Sequence, residues 1–317
     1  MLELSPLSRR QILTAAAGAV TLGLPEILQA QTQAPRATQA AMLTRKIPSS
    51  GEVLPVIGLG TPLIFDYAPD PVKQKEMSAV IAALVAGGGR MIDTANGYGK
   101  GEARLGEIID DLKVRDKIFL ATKFTSLNPA DKQKASVANS QELLKTKKFD
   151  LLYAWGVNSA DYDTGYLREL KAQGVTRYIG VTNGRNPDLA AFETLLKREK
   201  PDFLYFGYSI GDRSAEERLF PAARDAGVAV VGTVPFGGSS LFSKVAGKPL
   251  PNWAGEIGVT SWAQFFLKFV LANPAIVTIV PGTNKVDNLN DNLAAGRGAA
   301  PTAAQRQKMI DYWATIA

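Results

Sequence analysis

The stretch Arg90-Met91-Ile92-Asp93-Thr94-Ala95-Asn96-Gly97-Tyr98-Gly99 sets a carboxylate at the end of an apolar run and a tyrosine in the glycine-flanked loop just beyond, ahead of a helical segment containing Glu102. The next apolar run ends Leu120-Ala121-Thr122-Lys123-Phe124 and supplies a lysine. A buried lysine needs a counter-ion, and Asp93 is one. Its ammonium would favour tyrosinate, bringing the pKa of Tyr98 from about 10 toward neutrality and making the phenol a usable proton donor. The spacing equally admits a salt bridge beside a core tyrosine.

What the chain lacks narrows the chemistry further. Its 317 residues contain no cysteine and no histidine. That excludes disulfides, a thiolate nucleophile, a Ser-His-Asp triad and any zinc site built on sulfur or imidazole. A metal would need oxygen ligands alone, and no metal site is expected. The composition, 46% hydrophobic and 21% charged, is that of an ordinary globular protein. The net charge of +6 is spread without a basic block, so no nucleic-acid partner is expected. The same balance suits an anionic cofactor.

Short apolar or β-branched runs at 55–60, 90–95, 118–124, 150–157, 178–182, 203–209, 228–234 and 276–281 alternate with segments of helical period at 72–86, 102–112, 141–147, 166–173, 188–198, 215–226, 261–272 and 286–295. Eight strands of continuous apolar character, each followed by a helix, predict an α/β fold: a single (β/α)8 TIM barrel over residues 41–317. A doubly wound sheet is disfavoured, because Gly58-Leu59-Gly60-Thr61-Pro62 does not run on as a dinucleotide-binding glycine motif into a helix. Two segments exceed the repeat: a long Gly/Pro-rich loop after the seventh strand, 236–258, and an extra C-terminal helix over 301–317. Asp93, Tyr98 and Lys123 then fall at the C-terminal mouth of adjacent strands, where barrel chemistry resides.

Residues 1–40 read differently. Ser8-Arg9-Arg10-Gln11-Ile12-Leu13 precedes a weakly apolar run over 14–24, then Pro25 and a polar Gln/Ala/Thr stretch. This order predicts an export signal, with cleavage between 30 and 40. The paired arginines resemble a twin-arginine signal, which implies the twin-arginine export machinery as a partner and a periplasmic or otherwise exported location. The run is too short for a stable membrane span, which takes about 20 apolar residues.

The ordered motifs Leu54-Pro55-Val56-Ile57-Gly58-Leu59-Gly60-Thr61, Asp93/Tyr98, Lys123, Arg177-Tyr178-Ile179-Gly180-Val181-Thr182-Asn183 and Ile279-Val280-Pro281-Gly282-Thr283 resemble the aldo-keto reductases across nearly the whole mature chain. The segments 260–268 and 291–298 look like an exported bacterial branch. The resemblance implies an oxidoreductase that reduces a small-molecule aldehyde or ketone with hydride from NADPH, with NAD as a further option. Tyr98 would be the proton donor, assisted by Lys123 and Asp93. It implies cofactor contacts at Gly60, Thr61, Asn183 and Tyr205. Pro235, Phe236, Gly237, Gly238 and Leu241 fall in a loop crossing the pyrophosphate, where glycines let backbone amides approach phosphate oxygens. Gly282, Thr283, Lys285, Asn288 and Asn292 fall around the adenosine.

Three departures qualify the resemblance. Trp155 stands where the family carries a catalytic histidine; it keeps one N–H donor but cannot exchange a proton. Tyr205 replaces a glutamine that orients the nicotinamide carboxamide, and Asn288 stands where many relatives have arginine. Trp155 and Tyr205 motivate a second reading, a catalytically degenerate barrel acting as a nucleotide- or ligand-binding sensor. A third is redox chemistry on a sugar or quinone through a retained cofactor.

Overall fold

The computed structural model describes residues 40–126, 128–183 and 188–316. The expected export signal therefore lies, but for Ala40, outside the described residues. The chain enters through an antiparallel hairpin, β1 (Thr44–Lys46) and β2 (Val53–Pro55). Then come β3 (Leu59–Gly60), α1 (Pro71–Ala86), β4 (Met91–Asp93), α2 (Gly101–Leu112), β5 (Phe119–Thr125), α3 (Ala130–Leu143), β6 (Phe149–Val157), α4 (Gly165–Ala172), β7 (Thr176–Asn183) and α5 (Leu189–Glu199). They are followed by β8 (Phe203–Gly207), α6 (Leu219–Ala226), β9 (Ala229–Thr233), α7 (Ser240–Lys244), α8 (Trp262–Leu271), β10 (Ile276–Ile279), α9 (Val286–Ala295) and α10 (Ala303–Ile316).

Strands β3 to β10 pair in sequence order, all parallel. The Gly58 amide donates to the Ile279 carbonyl at 2.8 Å and the Ile279 amide to the Val56 carbonyl at 2.9 Å, and this joins the last strand to the first. The predicted (β/α)8 barrel is thus the fold. Period-2 alternation divides its core. Met91, Phe119, Leu151, Tyr153, Phe203 and Val231 fill the interior, while intervening residues such as Ile92, Leu120, Leu152 and Leu204 pack under the helices. The hairpin plugs the N-terminal end. Its Ile47 and Leu54 join the interior cluster, and Tyr178 Oη donates to Ser50 Oγ at 2.7 Å.

Local signals start the helices. Asp70 caps α1 by accepting from the Val72 and Lys73 amides, with Pro71 at the first helical position, and Asp188 caps α5 in the same way. Gly106 brings α2 onto the end of α3, because a Cβ there would lie 2.0 Å from the Leu143 carbonyl oxygen.

Three expectations need correction. The strand predicted at 55–60 is divided: Val53–Pro55 pairs with the polar Thr44–Lys46, and only Leu59–Gly60 lies in the barrel. The helix predicted at 141–147 is α3, which begins eleven residues earlier and ends at Leu143. It hides almost no apolar periodicity, burying only Val137 and Ser140, and the left-handed Lys145 follows its end. The long loop after β9 carries α7 and a 3-10 turn over Ala254–Ile257. Among the described residues no helix is long and apolar enough to cross a membrane.

Candidate active site

Asp93 closes β4, and Lys123 lies one strand over on β5 with its backbone in register with Tyr153. The ladder continues past Asp93, the Thr94 amide donating to Ala121 and the Asn96 amide to Lys123. This holds the Tyr98 loop against the mouth. Lys123 Nζ donates to Asp93 Oδ2 at 2.6 Å and to the Thr94 carbonyl at 2.8 Å, in a setting from which water is excluded: the two side chains are 1% and 0% exposed. Three tyrosine rings enclose the ammonium, with centroids at 4.4 Å for Tyr205, 5.3 Å for Tyr98 and 5.7 Å for Tyr153. Cation–π attraction of this kind is worth most when desolvated.

Tyr205 Oη donates to Asp93 Oδ2 at 2.9 Å. The expected depression of the Tyr98 pKa is overturned. Burial, then the negative charge of Asp93, push it up, with the neighbouring Tyr205 opposing them. The reason is geometric: Lys123 spends its donors on Asp93 and Thr94 and meets Tyr98 at the ring. Burial also raises the pKa of Asp93 and lowers that of Lys123, each opposed by its partner, so desolvation narrows the gap between the ion pair and its neutral form.

Glu102 was not among the expected site residues. Only 1% exposed, it accepts from Thr122 Oγ1 at 2.5 Å, Ser140 Oγ at 2.9 Å and Asn96 Nδ2 at 3.3 Å, and its charge reaches Lys123. Burial raises its pKa against those hydrogen bonds. The available signal was its place on the apolar face of α2, one turn before Leu105 and Gly106.

Trp155 sits at the end of β6, where a bulge next to Gly156, at φ 84°, shifts the register against β7. Its indole meets Tyr98 edge-on, centroids 6.1 Å apart, and covers Gly97, whose Cβ would fall 3.1 Å from Cζ3. Trp155 thus occupies the space beside the phenol.

A cavity of about 750 Å3 opens between the β3–α1 loop, the loop after β9 and the start of α9. Of the expected cofactor residues, Phe236, Gly282, Thr283, Asn288 and Asn292 line it. Leu63, Lys73, Trp262 and Asp291 line it too and were not among the expected site residues, although Trp262 and Asp291 fall within the family-like segments 260–268 and 291–298. Gly60, Thr61, Asn183, Tyr205, Pro235, Gly237, Gly238, Leu241 and Lys285 are not in its lining, and neither are Asp93, Tyr98, Lys123 or Trp155. Gly60 and Gly282, paired across the barrel seam, join the two regions: Gly282 borders the cavity, and the Thr61 amide donates to the Asp93 carbonyl. In the loop after β9, Gly237, Gly238 and Ser239 all have positive φ, and Val234 is left-handed at φ 51°, a rare state for a β-branched residue.

A parallel barrel with a buried Asp–Lys pair under a tyrosine at its C-terminal mouth defines a class of barrel enzyme scaffold. The aldo/keto reductase family model matches residues 56–311, and the chain belongs to that family. It is 25% identical to a probable aldo-keto reductase 1 of Glycine max over 81% of this chain and 85% of that protein. It is 29% identical to a probable aryl-alcohol dehydrogenase of Saccharomyces cerevisiae over 71% and 84%. Among solved structures, an aldo-keto reductase from Klebsiella pneumoniae in complex with NADPH superposes with a TM-score of 0.72 at 22% identity, covering 86% of this chain and 96% of that one.

Proposed function

We propose that this barrel reduces an aldehyde or ketone to the alcohol with an NADP(H) cofactor, Tyr98 giving the proton. The observation that carries this is the buried Lys123–Asp93 pair beside a phenol at the C-terminal mouth of the barrel. Membership of a family of oxidoreductases supports it, as do the names of the relatives.

The residues present fit such a cofactor. Thr61 Oγ1, Thr94 Oγ1 and Asp93 Oδ1 are buried without a hydrogen-bond partner at the seam between the cavity and Tyr98. A Cβ at Gly282 would reach within 3.1 Å of Ile64 and 3.3 Å of the Gly60 carbonyl, so glycine keeps that passage open. Asn292, 3% exposed, and Thr283 would hold the adenosine end, and the turns at 237–239 the phosphates. A bound nicotinamide would supply hydride to the carbonyl carbon. Tyr98 stays protonated across neutral pH and hydrogen-bonds the carbonyl oxygen, releasing its proton as negative charge develops there. Trp155 closes one side of that space and selects carbonyl compounds by shape. The test is consumption of NADPH with a panel of aldehydes and ketones; a barrel that binds nucleotide but turns over none is the binding module.

Asn288 faces the cavity where a cation would best discriminate NADP from NAD. Asn288→Arg is expected to tighten NADPH relative to NADH about tenfold or more, since a hydrogen bond to a charged group contributes about 1.5–3 kcal/mol. Paired titrations of the two nucleotides measure the ratio, and no change would place the 2′-phosphate elsewhere.

We also propose that residues 1–40 direct export of the folded, cofactor-loaded protein. Arg9→Lys with Arg10→Lys should retain it inside the cell, as read by fractionation. Unaltered export would exclude the twin-arginine route.

A further inference from the structure

Glu102 is a buried carboxylate with no cation bonded to it among the described residues. It sits in the first turn of α2, 1% exposed, and its donors are neutral: Thr122 Oγ1 on one oxygen, Ser140 Oγ and Asn96 Nδ2 on the other. A buried charge without an ion partner is costly. The rest of the buried face of α2 is filled by Leu105, Ile108 and Ile109, and helix packing alone would be served by another such side chain.

The donors come from three different segments. Thr122 is the neighbour of Lys123 on β5 and faces the helices, as strand alternation requires beside an inward-pointing lysine. Asn96 lies between Asp93 and Tyr98; its backbone amide donates to the Lys123 carbonyl at 3.2 Å and its side chain to Glu102 Oε2 at 3.3 Å. Ser140 is, with Val137, one of the two buried residues of α3. On its own helix Glu102 follows Gly101, whose amide donates to the Tyr98 carbonyl at 2.9 Å. The loop that carries Tyr98 is thus fastened on one side to the strand of Lys123 and on the other to the helix of Glu102. We propose that Glu102 is a positioning residue: it sets the Tyr98 phenol against the Lys123–Asp93 pair by holding Thr122 and Asn96 together. The proposal rests on the carbonyl-reductase reading.

The charge of Glu102 serves the same end. Lys123 is met by Asp93 from β4, by the rings of Tyr98 from the loop, Tyr153 from β6 and Tyr205 from β8, and, through space, by Glu102 from α2. Burial works to strip the proton from the ammonium, and two carboxylates work to keep it.

Glu102→Gln keeps the shape and one acceptor oxygen but sets an amide among donors, so the Asn96 side chain loses its acceptor. Hydrogen exchange in the cofactor-free protein reads the loop directly. The Asn96 amide, which donates to Lys123, and the Tyr98 amide, which donates to Ala95, should lose about tenfold or more of their protection, while amides of the β6–β7 ladder keep theirs. Unchanged protection at Asn96 and Tyr98 would overturn the proposal, and this readout holds whether or not a carbonyl is turned over. In turnover, kcat should fall about ten- to a hundredfold, the scale of a slightly misplaced reacting group, with NADPH affinity unchanged because Glu102 does not line the cavity. The basic limb of the kcat profile should move to lower pH, since Lys123 gives up its proton more readily with one carboxylate left. Asn96→Ala should lower kcat by a similar factor, and the double variant by little more than either change alone. Losses that simply multiply would show that Glu102 does not act through Asn96 and would overturn the assignment. So would a Glu102→Gln protein that is less stable yet keeps the parent's kcat and pH profile, because Glu102 would then be a core anchor only. A parent protein that turns over no carbonyl, with the exchange result as expected, would retire the reductase reading and leave the positioning of Tyr98 by Glu102 standing.

Discussion

Tyr98→Phe is expected to lower NADPH-dependent carbonyl turnover by about 10²- to 10⁴-fold, the ordinary contribution of a general acid. The loss should fall on kcat, because the change removes one oxygen and leaves the aromatic ring in place. That ring keeps its edge-on contact with Trp155 and its position over Lys123. Nucleotide affinity should hold, since the cavity that would take the adenosine end includes no part of Tyr98. Steady-state assays beside a fluorescence titration of NADPH separate the two parameters. Turnover equal to the parent protein would remove Tyr98 from the chemistry. It would also leave Lys123 and Asp93 without a reacting partner.

The Tyr98 phenol also shows where sequence reasoning reaches its limit. That Asp93, Tyr98 and Lys123 would meet follows from strand alternation and from the fact that barrel strands are neighbours in chain order. Both are local rules, and they place a residue to within one strand and one layer. The pKa of Tyr98 depends instead on which atoms face one another. Whether an ammonium meets a phenol at its oxygen or at its ring is decided by a few ångströms of side-chain geometry, and here it reverses the sign of the shift. The hydrogen bond of Tyr205 to Asp93, and Glu102 altogether, escaped for a related reason: the partners lie 112 residues away for Tyr205 and as far as 38 for Glu102, with no spacing rule to connect them. The split of the first strand has the same origin. Thr44-Arg45-Lys46 is polar and unpatterned, and becomes a strand only because the hairpin must close the barrel floor.

Breaking the Asp93–Lys123 pair should give the largest change in stability. Asp93→Asn leaves an ammonium only 1% exposed with the Thr94 carbonyl and three ring faces for company. Lys123→Met leaves a carboxylate whose Oδ1 already has no partner. Removing one member of a buried pair costs about 3–5 kcal/mol, because the other charge stays desolvated. Each survivor has an escape, since burial already raises the Asp93 pKa and lowers that of Lys123, and the orphan can shed its charge by taking up or losing a proton. Each single variant should therefore lie at or below the lower end of that range, as measured by urea unfolding. The double variant Asp93→Asn with Lys123→Met removes both charges at nearly the same volume. Its loss should be well below the sum of the two, with a coupling of more than about 1 kcal/mol, as expected for residues in direct contact. Strict additivity would mean that the pair does not interact as its 2.6 Å separation implies. A double variant that folds nearly as well as the parent yet turns over no carbonyl would show what the pair is for. Apolar residues could fill that layer of the barrel at least as stably, so that outcome would assign the two charges to proton chemistry at Tyr98 and not to stability.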